Sequence, residues 1–272
     1  NPDEDFEGGV NFIKRIAGAA QDATSGYLGL EGVSAGANFN TWDIYGRKRI
    51  GRFSLAAEIP ITTGNIGGID YSAFAVALEA SFKINDVFEP VVRAGRAPGQ
   101  AAFTGNRPDK FRGFFFNPNY KVGTVLFNYQ LANFSRVQTT NDQEATETSL
   151  SSPFDNPITN AQYVSIGTGI FLDKWQFRPS VLFASAQETA QDGQRFFNSW
   201  TRTFQTAAGD QESFLGTEFD LGITFQMDET FQFNLDNGLF LPGGFYKFTN
   251  VAGTENATST VWASVLRVGI NF

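Results

Sequence analysis

The sequence predicts an all-β fold, an antiparallel transmembrane β-barrel of about 10 strands, and three observations predict it. Apolar and polar residues alternate with period two over segments of about 10 residues, the length of a tilted strand that crosses a bilayer. Connections split into tight turns and long polar loops, the asymmetry of barrels with short periplasmic turns and long extracellular loops. The chain also closes on an alternating segment in which Trp262, Leu266, Val268, Ile270 and Phe272 share one face.

Each element follows from its residues. Residues 1–26 form a lead-in, with Phe12, Ile13, Ile16, Ala17 and Ala20 at helical spacing and Gly26 as a stop, which predicts a short amphipathic helix. Residues 27–272 form the barrel, with strands expected near 37–48, 52–63, 71–84, 87–96, 161–172, 175–188, 213–227, 231–245 and 260–272. That count is odd, so a barrel with an even number needs one more strand, for which residues 27–33 are the candidate; otherwise the chain is part of a larger barrel. The alternation is plain in Phe53, Leu55, Ala57, Ile59 and Ile61, in Phe74, Val76, Leu78, Ala80 and Phe82, and in Trp175, Phe177, Val181 and Phe183. It recurs in Leu215, Phe219, Leu221, Ile223, Phe225 and Met227, and again in Phe231, Phe233, Leu235, Leu239 and Leu241.

Asn85-Asp86, Asp173-Lys174 and Asp228-Glu229 are the tight turns. Residues 97–160, 187–212 and 248–259 are the long connections, and 111–134 contributes either no barrel strand or a pair. A soluble β-sandwich alternates too, but its strands average about 5–6 residues, and several segments here run past about 12.

Composition narrows the function. The net charge of −8 and pI near 4.7 leave no basic stripe for nucleic acid. A mean hydropathy of −0.20 suits a barrel whose lumen residues are polar. With no Cys there are no disulfides or thiolate metal sites, and with no His there are no His-based triads or zinc sites, so an enzyme is not expected. No cofactor is expected either; the carboxylates of 141–144 and of Asp210 and Glu212 read as solvated loop charges rather than calcium ligands. Asn1 opens the chain without Met, which fits a removed export signal or a fragment of something longer.

Assigning the apolar face to lipid turns Arg52, Glu58, Glu79, Lys83, Arg178, Glu218, Asp220, Gln226, Asp236 and Arg267 into the lumen. Their mixed signs favour pairing within the lumen over solute contact, and a lumen of about 10 strands is little wider than side chains fill. Trp42, Tyr45, Trp175 and Tyr246, together with Trp262, suit aromatic girdles at the membrane interfaces. Phe114, Phe115 and Phe116 read as packing within their own loop, and Arg47, Lys48 and Arg49 as a charged turn.

The ending from Trp262 to Phe272, with an aromatic last residue after alternating apolar ones, resembles the signature read by the bacterial outer-membrane assembly machinery. Residues 51–80, then the stretch with Phe116, Pro118 and Tyr120, then the strands to Phe272, resemble the C-terminal part of alginate-export-like outer-membrane channel proteins. The resemblance covers most of the chain and implies a channel role. The expected location is the bacterial outer membrane, and with the tight turns facing the periplasm the last strand runs inward and puts the C-terminus on the periplasmic side. The bilayer and the assembly machinery are the implied partners, with a protein partner or an oligomer beside them. The expected function is porin-like passage of ions, small solutes or polymer. The alternative is a structural barrel with an occluded lumen that seats a larger envelope complex.

Overall fold

A computed structural model describes residues 5–18, 36–66, 68–105, 108–117, 119–128, 158–198 and 203–270. The fold is a twelve-stranded sheet with a separate two-stranded hairpin. Ten long segments run through the sheet as an antiparallel meander: β1 (Phe6–Ala17), β2 (Ala37–Ile50), β3 (Phe53–Ile66), β4 (Ile69–Phe74) continued by β5 (Val76–Phe82), and β6 (Phe88–Ala97). After a long connection come β8 (Ala161–Leu172), β9 (Trp175–Ser185), β12 (Phe214–Gln226), β13 (Phe231–Pro242) and β14 (Val261–Ile270). The short β7 (Lys110–Phe111) adds parallel to β4, and β10 (Arg195–Asn198) pairs with β11 (Thr203–Thr206).

Ala75 separates β4 from β5 for a local reason. It lies opposite Pro60, whose carbonyl accepts the Ala75 N–H at 3.1 Å but which has no N–H to return.

The connections sort as expected. Residues 51–52, 83–87, 173–174 and 227–230 join strands at one end, and residues 18–36, 98–160, 186–213 and 243–260 join them at the other. The exception is 67–68, a short connection at the long-loop end. β1 begins beside Lys48 and β14 ends beside Phe231, so both outermost strands have their terminal ends on the short-turn side.

Three expectations change. The segment with Phe12, Ile13 and Ile16 is not helical: it is strand β1, paired with β2 along its whole length from Phe6↔Lys48 to Ala17↔Ala37. Its outer face carries Val10, Phe12 and Ile16, and the Phe12 ring lies 4.4 Å from Trp42. The sheet therefore takes in residues expected to form the lead-in, and β1 supplies a tenth long segment; the candidate 27–33 lies outside the described residues. Second, the meander does not close: β1 and β14 end the strand order and do not pair with each other. Third, Leu215 leaves the apolar outer series. The register with β9 slips between Phe214 and Gly216, and Leu215 turns into the core. Gly216 takes φ +137 there, and a Cβ on it would meet the Leu241 carbonyl at 2.4 Å.

The described residues of the segment 112–128, which are 112–117 and 119–128, contribute no strand, the first of the two expected outcomes as far as residue 128, beyond which the segment is not described. It lies on the inner face of the sheet. Phe116, Val122, Val125, Leu126 and Phe127 pack against Ala75, Ala77, Ala161, Tyr163, Leu182, Ala184 and Phe240. One segment touching β5, β8, β9 and β13 together requires the sheet to curve around it. Phe116 thus packs against the wall as well as within its own loop, where its ring sits 5.9 Å from Phe114 and 5.6 Å from Tyr120.

Candidate functional site

Strand parity sorts the two faces. Phe12, Trp42, Leu55, Leu78, Val92, Ile166, Phe183, Phe219, Leu239 and Leu266, one from each long segment, all face outward and are 40–66% exposed. Nine of these segments, all but β8, carry charge at inner positions. Glu79 meets Arg93 across the β5–β6 register, with 2.6 Å between them. Asp236 lies between Arg178 at 3.5 Å and Arg267, which donates to its other oxygen. Arg178 also donates to Thr224 Oγ1 at 2.8 Å and Gln176 Oε1 at 3.1 Å.

The charges predicted for the lumen fall into distinct groups. Arg178, Asp236 and Arg267 form the chain just described, and Glu79 pairs with Arg93. Glu58 lies on the inner face of β3 near Asp43 of β2. Arg52 and Lys83 stand at the short-turn rim. Arg52 donates to the Ile84 carbonyl at 2.9 Å, and Lys83 pairs with Asp86 at 2.9 Å, which holds that carboxyl below the usual range. Gln226 closes the β12–β13 turn by donating to the Asp228 carbonyl. Glu218 and Asp220 do something different: they bind the inserted segment.

Glu218 is fully buried on β12. Its Oε1 accepts the backbone N–H of Thr124 at 2.7 Å and of Val125 at 2.6 Å, and its Oε2 accepts that of Leu126 at 2.6 Å. Asp220 accepts the Thr124 N–H as well, at 3.1 Å. Successive N–H groups converging on one carboxyl group make a nest of the kind that holds anions. Sequence reading places both carboxylates inside but misses their partners, because backbone N–H groups leave no residue-type signal. Tyr120, singled out in the aromatic stretch, joins its hydroxyl to that of Tyr163 at 2.8 Å, and burial pushes its pKa up.

Below the inserted segment, on the short-turn side, lies a cavity of about 450 Å³. Arg93, Lys121, Arg178 and Arg267 line it against Glu89, Asp220 and Asp236. A second space of about 480 Å³ at the rim is lined by Arg47, Arg49, Arg52 and Lys83. Arg47 and Arg49 lie on the inner side of β2, with Lys48 outward, so they line the mouth rather than simply making a charged turn.

Two aromatic expectations are corrected. Tyr246 is buried, in a 3-10 turn at Gly244–Lys247, where its ring meets Phe240 edge-on at 5.9 Å. Tyr45 has inward parity, and its ring lies over Gly9, whose absent Cβ leaves room for it. Trp42, Trp175 and Trp262 do face outward, Trp175 at the short-turn end with its ring 4.4 Å from Phe225. Of the closing series, Trp262, Leu266, Val268 and Ile270 face outward, and Phe272 lies outside the described residues. The carboxylates of 141–144 also lie outside them, and Asp210 caps the Asp192 N–H at 2.8 Å. No group of three or more metal-ligating side chains occurs among the described residues. No protein-family model and no curated protein matches the chain.

Proposed function

We propose that this chain forms an outer-membrane β-barrel wall of channel type, passing ions or small polar solutes through a lumen that residues 112–128 occlude. One observation carries the reading. All ten long segments expose large apolar side chains outward, and nine of them, all but β8, carry charge on the inner face, while the charges of outward parity, Lys14, Lys48, Asp70 and Arg96, stand within four residues of a strand end; this is the reverse of a water-soluble domain. Exposed apolar patches on soluble monomers rarely exceed about 300–600 Å², and a belt on every strand is far more than that. In a bilayer the same belt is satisfied. The short turns and both strand termini then face the periplasm, and the closing strand with Trp262, Leu266, Val268 and Ile270 offers the assembly signal. The resemblance to alginate-export-like barrels agrees with this role, and the edges of β1 and β14, unpaired among the described residues, fit a wall completed by further strands.

The occluded lumen favours a second reading, a barrel that seats a larger envelope complex. Planar-bilayer recordings decide between them, using the purified protein and a variant whose residues 112–128 are replaced by a Gly-Ser linker of equal length. The channel reading expects current from at least the linker variant. In that background Asp236→Asn leaves Arg178 and Arg267 uncompensated, so the reversal potential should move toward anion preference. Silence from a folded, heat-modifiable linker variant at every voltage overturns the channel and favours docking.

A further inference from the structure

We infer that Glu218 is a latch: by gripping the N–H groups of Thr124, Val125 and Leu126, it holds residues 112–128 in the lumen and keeps the pathway shut. The inference rests on the channel reading and adds its control.

The inserted segment is attached differently at its two ends. Near its start it is tied to the wall and to its own connection by neutral bonds: Tyr71 Oη donates to the Gly113 carbonyl at 3.1 Å, and the Phe116 N–H to the Ile158 carbonyl at 3.0 Å. The tip at 124–126 bonds to the wall through the carboxylates of β12. Among the described residues no Lys or Arg forms an ion pair with Glu218, and its oxygens are met by backbone N–H groups instead.

The tip is also preformed. Asn128 donates from its side chain to the Thr124 carbonyl at 2.8 Å and from its backbone to the Val125 carbonyl at 3.1 Å. Lys121 Nζ reaches the Phe127 carbonyl at 3.1 Å, and Phe127 takes φ 64 to close the turn. A turn that keeps its own shape can leave and return as a unit.

Space for it comes from two glycines. A Cβ on Gly238 of β13 would lie 2.7 Å from Thr124 Cβ and 3.0 Å from Glu218 Oε1. A Cβ on Gly123 would lie 2.9 Å from Leu182 Cδ2 and 3.0 Å from Glu218 Oε2. The seat is therefore fitted on both sides.

Removing the carboxylate strips the buried N–H groups of Val125 and Leu126 of their acceptor and leaves Thr124 with Asp220 alone, a loss that water can make good only once the turn has swung out. The test uses the absence of native cysteine. V122C puts one thiol at a buried position on the segment, where its reaction with a water-soluble maleimide reports release. E218A, and separately G238V, which wedges the tip without altering charge, are each combined with it. Both should speed labelling by at least about tenfold, and both should raise open probability in bilayers in parallel.

Unchanged labelling and open probability in both folded variants, with the linker variant conducting, overturns the latch and leaves the channel standing. A silent linker variant removes the channel and the gate together, whatever the labelling does. If E218A does not fold, G238V decides alone.

Discussion

On the proposed membrane reading, Phe219→Arg is expected to destabilise the protein folded into lipid by about 2–4 kcal/mol, enough to lower the folded yield sharply. Phe219 is 48% exposed near the middle of β12, and its register neighbours on the outer face are Val181 and Leu239. A guanidinium there has no acceptor within an apolar belt and loses its hydration in hydrocarbon. On a sheet facing water the same change would stay within about 0.5 kcal/mol. The size of the effect is therefore diagnostic. Heat-modifiable gel mobility and urea titration after folding into lipid vesicles measure it, and a neutral result removes the membrane reading.

Phe240→Ala is expected to cost about 3–5 kcal/mol, because it empties a fully packed site. Phe240 is fully buried on the inner face of β13, opposite Glu218, and edge-on to Tyr246 at 5.9 Å and 89°. A Cβ on Gly216 would lie 2.7 Å from its ring, so the backbone of β12 already approaches it closely. The urea midpoint should fall while the slope stays unchanged. Unlike Phe219→Arg, this effect is expected in detergent and lipid alike, since the Phe240 ring packs inside the wall, away from either solvent. A small shift would mean that the inner core around 112–128 is loosely held.

Much of the wall is legible in the sequence. Alternation such as Leu235 and Leu239 outward against Asp236 and Asn234 inward is written into β13 residue by residue, since side-chain direction in a strand has period two. The turns at Asp173-Lys174 and Asp228-Glu229 likewise follow from local chemistry: Asp228 accepts the N–H groups of Thr230 and Phe231 at 2.8 and 2.9 Å. β1 reads as a helix because Phe12, Ile13 and Ile16 satisfy a helical spacing as well as they satisfy a strand. Only pairing with Trp42 and its neighbours on β2 decides between the two.

By itself, then, the sequence determined that this is an antiparallel all-β chain, which side of each strand is apolar, and that short turns gather at one end. Those properties depend on nearest neighbours along the chain. The tertiary structure decided the rest: that β1 joins the sheet, that a bulge turns Leu215 inward, that Tyr246 is buried, and that residues 112–128 pack against the inner face. These depend on pairings between distant residues, most plainly that of Glu218 with an N–H donor 94 positions away, and a backbone donor carries no mark of its partner in the sequence.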